Sequence, residues 1–200
     1  MKTSLIAAAM IACMGSGVQA AEAIVNGGFE TGAISPWFND NNFGGIGGVP
    51  WSATTTDANT GSWSATNVGN IEIRQNFAGV ATNDITSASL WLKHPVGGSL
   101  PAYVSFFYSD LTDTNFVINT TTGDWEFFDM SANLLAGKML TGFSLYGYTL
   151  GTVNVTSLDD VSISFNAVPE PATWALMIGG FVMVGSAMRR GVSRRGTVAV

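Results

Sequence analysis

Between Ala172 and Met188 the chain carries an unbroken run without an ionisable side chain, ATWALMIGGFVMVGSAM. A run of this length lies at the low end of what crosses a bilayer core as a helix. It therefore predicts one C-terminal transmembrane helix over 172–188. Pro169 and Pro171 flank Glu170 just before it. Two prolines two apart remove backbone donors and end whatever element precedes them. Arg189, Arg190, Arg194 and Arg195 follow, and a basic cluster beside an apolar span fixes that end in the cytoplasm. Everything before Glu170 is then expected outside. The competing reading, a buried core helix, lacks a partner segment after it.

The N-terminus carries the matching half of this logic. Lys2 is a short positive region, Leu5 to Met14 an apolar one, and Val18-Gln19-Ala20 a small-residue cleavage site, the three parts of a secretory signal peptide. The peptide is assigned to residues 1–20, with an alternative cut after Ala23. Cys13 is the single cysteine. Met10 to Cys13 loosely resembles a lipidation box; otherwise Cys13 leaves with the signal. The mature chain then has no disulfide and no thiolate metal site.

What remains, residues 24–166, is one domain in length. Its cations are Arg74, Lys93 and Lys138 against twelve acids, a formal charge of −9. Such a surface repels phosphate backbones, so no nucleic-acid partner is expected. Short apolar runs recur between Gly, Asn, Ser and Thr clusters, and no long stretch has helical spacing. Eight strands are predicted: Ser62–Asn67, Ile71–Phe77, Ile85–Lys93, Ala102–Tyr108, Phe116–Asn119, Trp125–Met130, Thr141–Tyr148 and Leu158–Phe165. The fold class is all-β, a two-sheet sandwich or jelly roll. Asn39 to Gly48 reads as a surface loop.

Two stretches resemble known families. Pro169-Glu170-Pro171-Ala172-Thr173-Trp174-Ala175, with the apolar helix and the arginines Arg189 and Arg190, resembles the PEP-CTERM sorting signal in its PEPxxWA variant, over 168–195. The resemblance implies a protein held in the inner membrane until an exosortase-type membrane protease processes it near Pro-Glu-Pro. It would then reach the cell surface or extracellular matrix. Ile24-Val25-Asn26-Gly27-Gly28-Phe29-Glu30-Thr31-Gly32 with Trp37, followed in order by Gly61 to Ala65, Arg74 to Phe77, Leu90-Trp91-Leu92, Trp125 to Phe128 and Leu158 to Ile163, is similar to carbohydrate-binding modules of the galactose-binding-like jelly-roll group. In those modules the first and last strands meet and hold a structural calcium. The resemblance puts Glu30 and Asp159 at the matching positions, with Asp160 and the carbonyls near Asn26 as helpers. The alternative is that these carboxylates are solvated or cap backbone donors.

Catalytic chemistry has few candidates. His94 is the only histidine and precedes Pro95, which reads as a loop histidine. Asp159 and Asp160, as neighbours on a strand, are expected to point to opposite faces, and Asp110 and Asp113 are expected to share a turn, too close to flank a sugar bond. No pair flanks a sugar bond as glycoside hydrolysis requires, so no enzyme is expected. Sugar binding asks only for exposed aromatic faces and a few polar groups. Period two places Ile71, Ile73, Gln75 and Phe77 on one face and Glu72, Arg74 and Asn76 on the other. By the same rule Arg74, Trp91, Lys93, Tyr146 and Tyr148 form a set that lines one sheet face, either as a sugar platform or as a second core layer. Two function classes follow: a non-catalytic polysaccharide-binding surface protein, or a structural or adhesive matrix protein with no defined sugar site.

Overall fold

The computed structural model describes residues 20–40, 48–94, 101–147, 155–167 and 177–186. Residues 20–166 form one compact unit, whose described residues hold eleven strands: β1 (Ala20–Glu22), β2 (Phe38–Asp40), β3 (Gly48–Thr54), β4 (Ser64–Gly69), β5 (Glu72–Ala81), β6 (Ile85–Lys93), β7 (Ala102–Tyr108), β8 (Asp113–Ile118), β9 (Glu126–Asp129), β10 (Met139–Gly147) and β11 (Val155–Asn166). They make two antiparallel sheets. One runs β3-β4-β11-β6-β9 with β1 also on β11; the other runs β2-β5-β10-β7-β8.

The all-β sandwich expected from the sequence is therefore the observed architecture. Ile85–Lys93 and Ala102–Tyr108 have the expected bounds, because their apolar alternation is clean. In β6, Ala88, Leu90 and Leu92 are fully buried, while Ser89, Trp91 and Lys93 take the opposite face. Three strands, β1 to β3, were not expected. Two of them are three residues long, too short for a periodic signal. The expected loop at Asn39 to Gly48 begins and ends in strand, with Asn39 inside β2 and Gly48 opening β3.

The core between the sheets follows a line of rings. Phe29 meets Trp37 at 5.8 Å, Trp37 meets Phe143 edge-on at 5.9 Å, and Phe106 bridges Phe143 and Phe116 at 6.0 and 5.6 Å. These spacings suit tilted and edge-to-face contacts, which stabilise beyond area burial alone. The tryptophan N–H groups also find acceptors: Trp37 Nε1 donates to the Asn26 carbonyl and Trp51 Nε1 to that of Ile71. Apolar bulk thus enters the core without orphaning its polar tip.

The strand β11 is the hub. It pairs with β6 over Ser157 to Phe165, with β4 over Val155 to Leu158 and with β1 over Ser164 to Asn166. The expected cleavage after Ala20 would fall within β1, whose Glu22 accepts from the hydroxyls of Ser162 and Ser164. At the other end of the chain, residues 177–186 are helical, with Ile178, Phe181, Val182 and Met183 exposed. No helix among the described residues is long and apolar enough to cross a membrane. The expected span over 172–188 extends past the described helix at both ends. Pro169, Glu170, Pro171, Trp174, Ala175, Arg189 and Arg190 lie outside the described residues, as do residues 1–19 of the expected signal peptide.

Candidate functional site

The acidic residues expected near calcium gather around one loop, residues 57–63, that crosses the outer face of the six-stranded sheet. Asp159 is fully buried. Its Oδ2 accepts from the Asn59 and Thr60 amides at 2.8 and 3.3 Å, and its Oδ1 from the Asp160 amide at 2.8 Å. Asp160 accepts from Asn59 Nδ2 and Thr60 Oγ1, both at 2.8 Å. Glu30 Oε1 accepts from the Ser62 and Trp63 amides, each at 2.9 Å. The expectation that Asp159 and Asp160 point to opposite faces fails here. Asp160 has φ +47 and sits where the pairing with β6 slips between Asp159 and Ser162. A left-handed residue at a bulge turns its side chain back to the face of its neighbour.

These contacts are the donor-capping role for the three carboxylates. The space beside Gly28 is nonetheless ringed by them: a Cβ there would lie 3.4 Å from Asp160 Oδ1, 3.8 Å from Asp159 Oδ1 and 3.9 Å from Glu30 Cγ. The all-oxygen donor set is of the kind a hard cation takes. Among the described residues no three His, Cys, Asp or Glu side chains already stand in a metal-holding arrangement. The Asn26 carbonyl, an expected helper, is engaged by Phe29 N and Trp37 Nε1. Burial pushes the Asp159 carboxyl up to about 6, against the pull of the Asn59, Asp160 and Thr60 amides, and Asp160 adds to the rise.

The same outer face carries Trp91 and Lys93. Trp91 packs on Phe127 at 5.6 Å. The Lys93 ammonium is 2.8 Å from Asp57 and 3.3 Å from Asp124, and Trp125 Nε1 donates to Asp57. Lys93 holds the Asp57 carboxyl below its ordinary range. This cluster fastens the 57–63 loop from its other end.

Arg74 and Tyr146 belong to the other sheet. The expected single face is thus divided, with Trp91 and Lys93 on one outer surface and Arg74 and Tyr146 on the opposite one; Tyr148 lies outside the described residues. Parity within each strand is as expected, since Ile73, Phe143 and Leu145 are fully buried. Parity cannot tell which sheet a strand will join.

On the outer face of the five-stranded sheet, Asp40, Glu72, Tyr146, Tyr103 and Val117 stand in one cross-strand row. The next row is Phe38, Arg74, Ser144, Ser105 and Asn115, and a third holds Asn76, Gly142, Phe107 and Asp113. Tyr103 and Tyr146 meet at 6.1 Å. Tyr103 and Phe38 are each 39% exposed. Arg74 lies 3.8 Å over the Phe107 ring, although β10 stands between their strands. Gly142, opposite both Asn76 and Phe107, leaves the path open for that side chain. Arg74 Nε donates to Asn76 Oδ1, and its guanidinium is 3.7 Å from Asp40. This face thus shows Tyr103, Phe38 and Val117 to solvent, while Glu72, Tyr146, Ser144 and Ser105 in the same rows are buried. Glu72, Tyr103, Phe107 and Phe38 were not singled out from the sequence; the row becomes visible only once register is known.

Two further features lie away from both faces. His94 is buried, with Nδ1 2.8 Å from Thr156 Oγ1, so it is a packed histidine and not an exposed one. A cavity of about 380 Å³ is lined by Ala81, Asn83, Ser109, Asp110, Gly137, Lys138 and Met139 and offers no aromatic ring.

No family model matches the chain, and no curated protein matches it. Among solved structures the fold is similar to a family 61 carbohydrate-binding module in complex with β-1,4-galactotriose, with TM-score 0.54 and 16% identity over 74% of this chain and 99% of that one. It is also similar to a family 16 carbohydrate-binding module, with TM-score 0.51 and 18% identity over 70% and 98%. A third match is the family 22 module and catalytic module of the Clostridium thermocellum xylanase 10B, complexed with xylohexaose, with TM-score 0.51 and 18% identity. That match covers 72% of this chain and 28% of the xylanase structure. At these identities the likeness is one of fold, a shared two-sheet β-sandwich.

Proposed function

We propose that this chain is a non-catalytic polysaccharide-binding protein that engages its ligand on the outer face of the five-stranded sheet. One observation carries the reading: the exposed rings of Tyr103 and Phe38 on this face, with Arg74 laid across Phe107 in the rows between and beside them. Tyrosine rings pack on the apolar C–H face of a pyranose, and neighbouring carboxylate and guanidinium groups orient its hydroxyls. The solved modules of this fold include ones bound to galactotriose and xylohexaose; sugar binding is carried over, but not those sugars. Tyr103→Ala tests the site. Tyr103 is well exposed, so the melting temperature should stay within the change that about 0.5 kcal/mol produces. Retention on a polysaccharide panel should fall at least about tenfold. Unchanged retention would move the site elsewhere and favour a matrix protein without a defined sugar site.

Delivery belongs to the same proposal. The signal peptide exports the chain, and the tail from Pro169 holds it in the inner membrane until an exosortase-type protease releases it to the cell surface or matrix. Removing Pro169 to Val200 should free the protein from the membrane fraction, and a truncated chain that stays bound would sink the anchor.

We further propose structural calcium beside Gly28, with Glu30, Asp159 and Asp160 as donors. Bound there, the cation would offset the buried charge of Asp159 and bind the 57–63 loop to β11. The three side chains supply the oxygens and the loop amides hold them in place.

A further inference from the structure

Beyond the ring rows, the five-stranded sheet ends at the cavity of about 380 Å³, where the end of β5, the turn after β7 and the start of β10 meet. Small-molecule sites run from roughly 300 to 1,000 Å³, so the space suits one small ligand. Its polar groups are open to solvent: the Lys138 and Asp110 side chains are 33% and 46% exposed. Its walls are held by backbone. The Lys138 amide donates to Thr82 Oγ1, the Thr82 amide to the Lys138 carbonyl, the Ser109 amide to the Met139 carbonyl and the Gly137 amide to Asn83 Oδ1. Met139 lies across Gly79, where a Cβ would come within 2.7 Å of its Cγ, so the missing side chain fixes where the thioether goes.

The hydrogen-bonding capacity left over here is mixed in sign. The Lys138 ammonium donates to one oxygen of Asp110, whose other oxygen accepts from the Thr112 amide and hydroxyl. Lys138 first, and Thr112 after it, hold that carboxyl down at about 2, so the pair is ionised at neutral pH. An ammonium has three donors and a carboxylate about four acceptor positions. The pair therefore answers its own charge and still has both donors and an acceptor to give. Asn83 spends its carbonyl oxygen on Gly137 and keeps its amide donors. Such a set favours neither an anion nor a cation; it favours a group that accepts from Lys138 while donating to Asp110. A hydroxyl does both. Ala81 and Met139 add an apolar wall, and a thioether adapts to an irregular C–H surface.

We propose that this cavity is a second carbohydrate subsite, which takes one neutral sugar unit. Its adjacent hydroxyls bridge Lys138 and Asp110, and its C–H face lies against Met139 and Ala81. The inference rests on the polysaccharide-binding reading and gives that ligand a second point of attachment. Tyr146, the cross-strand partner of Tyr103, stands roughly 24 Å farther along β10 than Met139. A polymer that reaches both is held at two places, and linked sites bind more tightly than either alone.

The test reads both places in one spectrum. The full chain, isotope-labelled, is titrated with the methyl β-glycosides of galactose, glucose, mannose and xylose, and with glucuronate as the charged control. At least one neutral glycoside should shift the amide signals of Ser109, Gly137 and Lys138 saturably, and glucuronate should not. Lys138→Met keeps the stem and loses only an exposed ion pair, so it should fold and bind that glycoside at least about tenfold more weakly. Raised salt should leave the affinity of the unaltered chain within about twofold, since the ligand is neutral. Unshifted cavity amides with all four glycosides overturn the inference, as does glucuronate binding more tightly than they do, or full affinity in a folded Lys138→Met chain. The spectra of the unaltered chain decide the matter even if the variant misfolds. Shifts confined to Tyr103 and its neighbours would overturn this inference alone. No shift at either place, with no polysaccharide retaining the chain, would overturn the binding reading with it.

Discussion

On the outer face of the six-stranded sheet, the charged and aromatic side chains answer to each other. Lys93 is held by Asp57 and Asp124, Trp125 by Asp57, and Trp91 by Phe127, while Glu30, Asp159 and Asp160 take up the amides and side chains of one loop. On the outer face of the five-stranded sheet the same residue types leave something over. Tyr103 and Phe38 remain well exposed, and Glu72 Oε1 makes no hydrogen bond among the described residues. The lesson is that residue type does not mark a binding surface. What marks it is polar capacity and ring area that the fold itself does not use.

The largest effect that would break this contrast is expected at Gly61. Its φ is +63, and a Cβ would meet Glu30 Oε1 at 2.3 Å, so both the backbone and the carboxylate contact suffer. Gly61→Ala should cost about 3 kcal/mol in denaturant melts and leave ligand binding by the folded fraction intact. A loss under about 0.5 kcal/mol would mean that the loop is not fastened as described.

Next is the pH dependence of Asp159, whose carboxyl stands at about 6 against an ordinary 3.8. The fold favours the protonated form, so this group's contribution is fully present below its unfolded pKa and is lost as pH rises through the folded one. Between pH 7 and pH 3 the wild type should gain up to about 3 kcal/mol relative to Asp159→Asn. Taking the difference between the two proteins cancels Asp57, Glu126 and Asp129, whose lowered values act with the opposite sign. Calcium sharpens the same measurement. At a hundredfold excess over its dissociation constant it should stabilise by about 2.7 kcal/mol, more at pH 7 than at pH 5, and Asp159→Ala should erase the effect. Identical melts with calcium and with chelator at both pH values would remove the metal from the account.

The smallest effect separates the two faces directly. Trp91→Ala removes the contact with Phe127 and should cost about 1 kcal/mol without changing retention on polysaccharide, in contrast to Tyr103→Ala. Loss of retention in Trp91→Ala would restore the six-stranded face as a ligand platform.

Which parts of this were legible beforehand follows from the kind of signal each part leaves. Alternation along one strand is local, so β6, β7 and the facing of Glu72, Arg74 and Asn76 opposite Ile73 could be read from the chain. Grouping Trp91 and Lys93 with Arg74 and Tyr146 required knowing which strands share a sheet, and that is fixed by long-range pairing. The turning of Asp160 was hidden for a different reason: a left-handed aspartate inside a strand leaves no compositional trace. Glu72 looked like an ordinary outward-facing acid, and only its burial beside Asp40 and Tyr146 sets it apart.

The pairing of Ala20 with Asn166 has a consequence for engineering. Chain entry and exit lie side by side on neighbouring strands, so a short linker from Asn166 to Ala20 should close the sandwich on itself. New termini opened in the exposed turn at Asp110 to Thr112 would then give a circular permutant with every strand pairing retained. Such a permutant would present the tyrosine face with neither leader nor tail attached, and could be fused through the new ends to any carrier.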